Sequence, residues 1–192
     1  MDQVDVDGTR LEYEVSGSGD PVLLIHGAFI ADSFRPLLVE ASLAGAYQLI
    51  TYRRRGYGTD SRTADKTPTT AERQPADWAG LLRRLGLQQV HVVGHSFGGC
   101  IALQLALDSP HLVRSLALLE PALFVGANAQ SYRESLLRSA ERYRAEGALA
   151  VMEEFLHARW PAYSRSALER VVFSCSKAPR QLVSCDSVPA AG

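Results

Sequence analysis

Long apolar runs are missing from this 192-residue sequence, although hydrophobic residues make up 46% of it. A membrane-spanning helix needs roughly 20 consecutive apolar residues, and no run here approaches that length. No stretch near the N-terminus joins a basic start to an apolar core, which is the pattern of a secretory leader. We therefore expect a cytoplasmic protein without a membrane partner, and the length suits one folded unit with a sizeable core.

An excess of charge of one sign is missing as well. Lys and Arg total 20 and Asp and Glu total 21, which gives a formal net charge of -1. Binding to nucleic acid or to an anionic membrane depends on a strong positive field, which this balance does not provide. The composition therefore argues against a nucleic-acid partner and favours a small-molecule substrate, and it indicates no oligomeric state.

Cysteines are few, and their number is odd. Cys100, Cys175 and Cys185 form neither an even disulfide framework nor a metal-ligand spacing, which suits a reducing compartment. The three-glycine spacing of a dinucleotide site is absent, as is a Gly-Lys-Ser/Thr phosphate loop. We therefore expect neither a metal nor a nucleotide, and we predict that the protein works without a cofactor.

The sequence is organised around the segment Gly94-His95-Ser96-Phe97-Gly98. An apolar run, Val90–Val93, precedes it, and a mostly apolar stretch over 99–107 follows it. Strand, tight turn and helix in this order are the context of a nucleophile elbow. The serine of such a turn takes a strained backbone conformation, and the flanking glycines leave room for it. Ser96 is therefore the predicted nucleophile.

Strand and helix patterns alternate along the chain. Residues 4–15 alternate apolar and polar side chains around Asp7-Gly8, which predicts a hairpin. Continuous apolar runs predict buried strands, and their alternation with helices is typical of a parallel α/β sheet. Further strands are predicted at 22–25, 48–52, 90–93 and 113–119, and helices at 31–43, 77–85 and 99–107, with a loop over 58–75. Pro36 limits the first of these helices to starting or kinking near that residue. Two or three helices are predicted over 129–160, and an irregular tail over 174–192.

With these motifs in place, the sequence resembles the α/β-hydrolase superfamily. His26-Gly27 closes one strand, Arg55-Gly56-Tyr57-Gly58 follows the next, and Gly94–Gly99 forms the elbow, all in that family's order. The resemblance covers residues 10–125 and implies an α/β fold, with a mostly parallel sheet flanked by helices. It implies the serine branch that hydrolyses esters, lactones and amides, because the haloalkane dehalogenases carry aspartate at this position. We expect a core over 1–125, a helical cap segment over 126–173 and an irregular tail over 174–192.

The predicted oxyanion hole consists of two backbone N–H groups. Phe97 follows the nucleophile and supplies one N–H, and the resemblance implies that Ala28 supplies the other. His26, Gly27, Gly94, His95 and Gly98 are expected to shape the site. We expect His26 to pack and hydrogen-bond at its strand end, and the His95 side chain to point away from the pocket. The run Arg53–Arg55 is interpreted as a solvated turn, the alternative being an anion site that contacts the substrate.

The general base is not identified by the sequence. Only His111 and His157 follow Ser96, whereas the fold places its partners in the order Ser, Asp or Glu, then His. His111 precedes a strand of six to seven residues, which puts it roughly 20 Å from the active edge. His157 belongs to a predicted cap helix and is expected to be a partly exposed histidine. Glu120, at the end of the strand over 113–119, is the candidate acid, the alternative being a carboxylate that caps the following loop.

The resemblance also implies two strand-helix units beyond the cap, the last of which carries the catalytic histidine. The stretch over 174–192 does not resemble a segment of that kind. We therefore hypothesise a C-terminally incomplete or frame-altered family member. Two functions remain open: a cofactor-free hydrolase acting on an ester or related acyl bond through Ser96, with activity weak or lost, and a non-catalytic binding protein or remnant.

Overall fold

The computed structural model describes residues 1–55, 57, 74–123, 125–127 and 129–159. Among these residues, six strands form one sheet in the order β1-β2-β4-β3-β5-β6. The pairs β1/β2 and β2/β4 are antiparallel, while β3/β4, β3/β5 and β5/β6 are parallel. The strands are β1 (Asp2–Val6), β2 (Thr9–Ser16), β3 (Asp20–Ile25), β4 (Tyr47–Arg53), β5 (Val90–His95) and β6 (Val113–Leu119). The predicted mostly parallel α/β sheet is confirmed.

The N-terminal hairpin forms at the predicted turn. Asp7 and Gly8 have φ values of 44° and 75°, and Val6 pairs with Thr9 across the turn. Two consecutive left-handed residues are the requirement of a type I′ turn, which the Asp-Gly pair satisfies. The hairpin places β2 against β4, so it extends the edge of the sheet away from Ser96.

Helices cover the sheet and differ from the predictions at two places. They are α1 (Arg35–Leu38), α2 (Ala41–Ala44), α3 (Gln74–Arg84), α4 (Phe97–Asp108), α5 (Ala129–Glu146) and α6 (Ala148–Arg159), with a 3-10 turn at Pro110–Leu112. The single helix predicted over 31–43 is wrong, because Pro36 lies in the first turn of α1 and the extended Glu40 (ψ 111°) separates α1 from α2.

The second difference concerns the start of α3. The helix begins at Gln74, three residues before the predicted start, and proline is well tolerated in a first turn, where its missing N–H costs nothing. The predicted loop over 58–75 otherwise falls on 58–73, outside the described residues, as does the predicted tail over 174–192. Two helices over 129–159 agree with the prediction. None of the described helices is long and apolar enough to cross a bilayer.

The core has two layers because β3 is buried on both faces. Leu23 and Ile25 point to the side covered by α3 and α4, and Val22 and Leu24 point to the side covered by α1. Alternate residues of a strand face opposite sides of a sheet, so a continuous apolar run indicates a strand that is buried on both faces. The larger layer includes Trp78, Leu81, Leu82, Ile101 and Leu105, and the smaller one Phe34, Leu38 and Leu49. This packing fixes the carboxyl ends of β3 and β5 side by side.

Candidate active site

Ser96 lies in a strained turn between β5 and α4. Its φ of 53° and ψ of -120° belong to a region that residues with a side chain seldom adopt. Such a conformation costs about 1–3 kcal/mol and persists only where its surroundings hold it. The predicted nucleophile-elbow geometry of the backbone is thus present.

Three backbone hydrogen bonds hold this turn. The Ser96 N–H donates to Leu119 O (2.9 Å), and Ser96 O accepts from the N–H groups of Gly99 (2.9 Å) and Ala122 (3.1 Å). Two of these three bonds go to the end of β6 and the loop after it, which lies more than 20 residues away along the chain. The serine is therefore clamped by tertiary structure and not by its own helix alone.

The glycines around Ser96 permit two close approaches of backbone. A Cβ on Gly98 would lie 2.2 Å from Ile25 O and 2.5 Å from His26 O. A Cβ on Gly94 would lie 2.5 Å from Gly98 O. All three distances are far below van der Waals contact, so no other residue fits at Gly94 or Gly98 without movement of the backbone. The first turn of α4 is consequently pressed against the end of β3.

The oxyanion segment, defined here as Gly27 and Ala28, lies beside the serine. A Cβ on Gly27 would be 3.1 Å from Ser96 Cβ and 3.1 Å from Nδ1 of His95. After Ala28 the chain turns sharply, with Phe29 at a φ of 68° and the Ile30 N–H donating to Ala28 O (2.9 Å). Phe97 is the first residue of α4, where backbone N–H groups are free of helical partners. The two predicted oxyanion donors therefore belong to neighbouring segments, and the His95 ring packs against one of them.

Helix α6 covers the turn that follows the oxyanion segment. Met152 and Leu156 are buried against Phe29 and Ile30, and the rings of Phe29 and Phe155 are 5.5 Å apart. Helix α6 thus forms an apolar wall against the turn that follows Ala28.

His26 is buried and hydrogen-bonded at the end of β3, where the sequence predicted a packed histidine. It is 1% exposed; Nδ1–H donates to Gly27 O (2.8 Å) and Nε2 accepts the N–H of Arg54 (3.2 Å). The second bond needs an unprotonated Nε2, so we assign the neutral Nδ1–H tautomer. Burial lowers the pKa of His26 well below its usual value, and the positive charge of Arg54 lowers it further.

The neutral state of His26 predicts a loss of stability in mild acid. Below a pH of about 6.5 the histidine of the unfolded chain takes up a proton that the folded chain does not bind. Proton binding therefore stabilises the unfolded state relative to the folded state. The free energy of unfolding should fall by up to about 1.4 kcal/mol per pH unit as the pH decreases from there toward the lowered pKa. Urea unfolding between pH 7.5 and 5.5 measures this slope, and His26→Asn, though less stable at pH 7.5, should show a shallower one. Parallel slopes for the two proteins would contradict the assignment.

The arginine run is not a solvated turn, and this prediction is wrong. Arg53 pairs with Glu12 (3.0 Å) and Asp32 (3.0 Å), and Arg55 hydrogen-bonds Asp77 (3.1 Å). Their partners lie on β2, after β3 and on α3, so only the fold brings these charges together. Burial raises the pKa of Asp77, and the pairing with Arg55 opposes that rise. The acidic residues are visible in the sequence, but no sequence pattern shows which arginine each of them pairs with.

Arg54 is the residue that sequence reasoning missed. It is 1% exposed, and its guanidinium donates from Nη1 to Gln74 Oε1 (2.9 Å) and from Nη2 to Gly27 O (2.9 Å). Arginine is almost never fully buried unless it is paired. The sequence alone gave no reason to separate Arg54 from its two neighbours.

Glu120 and His111 lie at opposite ends of β6 and His157 lies on α6, while their chemical roles stay predictions. Glu120 follows Leu119, whose carbonyl binds the Ser96 N–H, and has a φ of 43° with an exposed side chain. His111 lies before β6, at the end of that strand opposite to Leu119. His157 is exposed on α6. Within the described part of the chain, no side chain hydrogen-bonds Ser96 Oγ, so the general base remains unassigned.

The fold and the serine turn define an α/β protein with a mostly parallel sheet and a nucleophile-type turn at the carboxyl edge of that sheet. The chain belongs to the α/β hydrolase fold family, whose sequence profile matches residues 20–168. The resemblance noted from the motifs is thereby confirmed, and the match extends through the helical segment after β6.

Individual relatives come from several activities. The chain is 38% identical over 143 residues to the dihydrolipoyllysine-residue acetyltransferase component of the acetoin cleaving system of Cupriavidus necator, covering 72% of this chain and 36% of that protein. It is 38% identical over 108 residues to a putative carbamate hydrolase of Azorhizobium caulinodans, covering 56% and 40% respectively. The chain therefore spans less than half the length of these curated relatives.

A solved structure matches over nearly the whole chain. A thermophilic esterase from Thermogutta terrifontis superposes with a TM-score of 0.75 at 25% identity, covering 94% of this chain and 69% of that one. The similarity supports the arrangement of sheet and helices described above, independently of the sequence profile.

Proposed function

We propose that this chain hydrolyses an ester or a related acyl bond of a small molecule, without a cofactor, through Ser96 as the nucleophile. The observation that carries the proposal is the strained Ser96 turn, clamped to the end of β6 and lying beside Gly27. Strain of this kind clusters at functional sites because only a surrounding structure selected for it can maintain it. Similarity to an esterase of the same fold supports the acyl substrate class.

The proposed reaction proceeds in two halves. Ser96 Oγ attacks the carbonyl carbon while its proton passes to a general base, which later returns it to the leaving alcohol. The C=O electron pair moves onto oxygen, where the N–H groups of Ala28 and Phe97 bind the developing negative charge. The tetrahedral intermediate collapses and expels the alcohol with a proton, leaving an acyl-Ser96. Water then attacks the acyl group, releases the acid and restores the serine. We propose Glu120 as the carboxylate that orients the general base, because it follows Leu119, whose carbonyl accepts the Ser96 N–H.

A second candidate is a non-catalytic binding protein of the same fold. The observation that favours it is the lack of a hydrogen bond to Ser96 Oγ from any side chain in the described ranges. Without a base, attack by serine loses most of its acceleration, and what remains comes from binding and the oxyanion hole. The two functions differ in whether Ser96 is chemically activated.

Covalent labelling distinguishes the two functions. A fluorophosphonate reacts with activated serines, so we expect one adduct per chain by intact mass. Trypsin cleaves after Arg84 and Arg114, and fragmentation of the peptide over 85–114 should place the adduct on Ser96 and not on Ser109. The urea-unfolded chain, which keeps the same serines, is the control and should remain unlabelled. An unmodified native chain, or equal labelling of both states, would favour the binding protein.

A further inference from the structure

Arg54 is a buried cation that makes contact with the oxyanion segment itself. Its Nη2 donates to Gly27 O (2.9 Å), and among the described residues none of its hydrogen bonds goes to a carboxylate. Burial of a charge costs several kcal/mol in desolvation and is rarely kept without a partner. The two neighbouring arginines, by contrast, each bind a carboxylate. The contact with Gly27 O therefore distinguishes Arg54 from the two arginines beside it.

Gly27 O receives two hydrogen bonds. Arg54 Nη2 donates from one side, and His26 Nδ1–H donates at 2.8 Å. The peptide group that joins Gly27 to Ala28 is planar, and the described chain has no cis peptide bonds. In a trans peptide the C=O and the following N–H point in opposite directions. Fixing the direction of Gly27 O therefore fixes the direction of the Ala28 N–H.

The contact with Arg54 also changes the strength of that N–H as a donor. A hydrogen bond from a guanidinium is charge-assisted and draws electron density toward the carbonyl oxygen. Polarisation passes along the amide, so a carbonyl that accepts such a bond leaves its N–H a better donor. The effect is greatest where water is excluded, and both Arg54 and Gly27 are buried.

The side chain of Arg54 is itself held on three sides. Nη1 donates to Gln74 Oε1 (2.9 Å) at the start of α3, and the guanidinium carbon lies 4.8 Å from the Tyr57 ring centroid and 5.3 Å from that of Phe97. Cations over aromatic faces are attracted by the ring quadrupole. Phe97 is also the residue whose N–H is the second proposed donor. One guanidinium thus contacts the carbonyl of the Gly27–Ala28 peptide and the ring of Phe97, the residue that supplies the other proposed donor.

We propose that Arg54 is a positioning residue that orients and polarises the Gly27–Ala28 peptide, so that the Ala28 N–H stabilises the oxyanion formed on attack by Ser96. The inference rests on the proposed function. Arg54 acts through the peptide and does not touch the substrate. Its contribution is therefore largest in the transition state, where negative charge has moved onto oxygen, and small in the ground-state complex.

The test compares Arg54→Met and Arg54→Lys with Arg53→Met in the full chain, using p-nitrophenyl acetate. Removal of a complete oxyanion donor costs about 10²–10³ in kcat, so loss of its orientation by Arg54→Met should cost roughly 10- to 100-fold. KM should change by less than about twofold, because the variant keeps the contacts that bind substrate and transition state equally well. Arg54→Lys, which keeps the charge and one donor toward Gly27 O, should recover part of the loss. Arg53→Met removes an equal guanidinium that does not reach Gly27, and it should keep the wild-type kcat.

Thermal unfolding and circular dichroism establish that each variant is folded at the assay temperature. If Arg54→Met does not fold, Arg54→Lys carries the comparison, with a kcat below wild type at an unchanged KM as the supporting result. A folded Arg54 variant with the wild-type kcat, or one in which KM rises while kcat is unchanged, overturns the inference. Failure of the proposed function has a separate signature. Wild type and Ser96→Ala then hydrolyse the ester equally fast, which removes the basis of the inference as well.

Discussion

Ser96→Ala is expected to lower the kcat for p-nitrophenyl acetate by about 10³-fold or more, with little change in KM. Alanine keeps the backbone of the turn and the two oxyanion N–H groups, so it removes only the attacking oxygen. Knocking out a serine that works with its base costs on the order of 10⁶ in kcat, so the size of the drop also reports how well Ser96 is activated. Steady-state hydrolysis by wild type and variant at matched concentrations gives this ratio.

Two further variants sharpen the Ser96 comparison. Ser42→Ala is the matched control, because Ser42 is exposed on α2 and its hydroxyl donates to Glu40 (3.2 Å), so the wild-type rate should persist. Ser96→Cys should retain measurable acylation, since a thiol of pKa about 8.5 needs less help from a base than a hydroxyl does. Equal rates for wild type and Ser96→Ala would show that Ser96 is not the nucleophile in this chain.

Gly98→Ala is expected to destabilise the protein by about 3 kcal/mol or more. The new methyl group would lie 2.2 Å from Ile25 O and 2.5 Å from His26 O, and both are backbone atoms of β3 or its end. Because β3 is paired on both sides, with β4 and β5, it cannot yield without breaking the centre of the sheet. Urea unfolding measures the loss, and fluorophosphonate labelling of Ser96 should disappear with it, since the same clash pushes the oxyanion segment away.

Gly86→Ala is the control that isolates the clash. Gly86 has a φ of 70°, so alanine there meets a backbone penalty of about 1–2 kcal/mol, but nothing lies within 4 Å of the new Cβ. The substitution should therefore cost less than Gly98→Ala and leave Ser96 reactive. If Gly98→Ala unfolds no more easily than Gly86→Ala, the close approach of α4 to β3 does not exist in solution.

The elements that the sequence predicted correctly are those that depend on neighbouring residues. The run Val22–Ile25 indicated a strand buried on both faces, Asp7-Gly8 indicated the hairpin turn, and the glycines around Ser96 indicated the elbow. Each signal is local, because side-chain periodicity and allowed φ values act within a few residues. The alternation of strands and helices that indicated an α/β sheet followed from patterns of the same local kind.

The errors concern contacts between distant parts of the chain. Arg53 meets Glu12 from 41 residues away, and Arg54 meets Gly27 from 27 residues away, so no local pattern could give their burial. The helix predicted over 31–43 failed for a related reason. The apolar residues there belong to two short helices, and Phe34 and Leu38, at the N-cap and in the last turn of α1, pack against the sheet. The same apolar spacing would suit one continuous helix, so periodicity does not distinguish the two structures.

The hydrogen bonds from the Ser96 turn to Leu119 and Ala122 have a consequence for how the molecule can be recombined. Through these bonds the loop directly after β6 helps to hold the Ser96 backbone in place. Gly126, which is exposed and has open space around it, lies just beyond the residues that make these bonds. The boundary for exchanging α5 and α6 therefore falls at Gly126 and not at the end of β6. A chimera joined there exchanges α5 and α6 for foreign helices while the serine keeps every bond that holds its backbone.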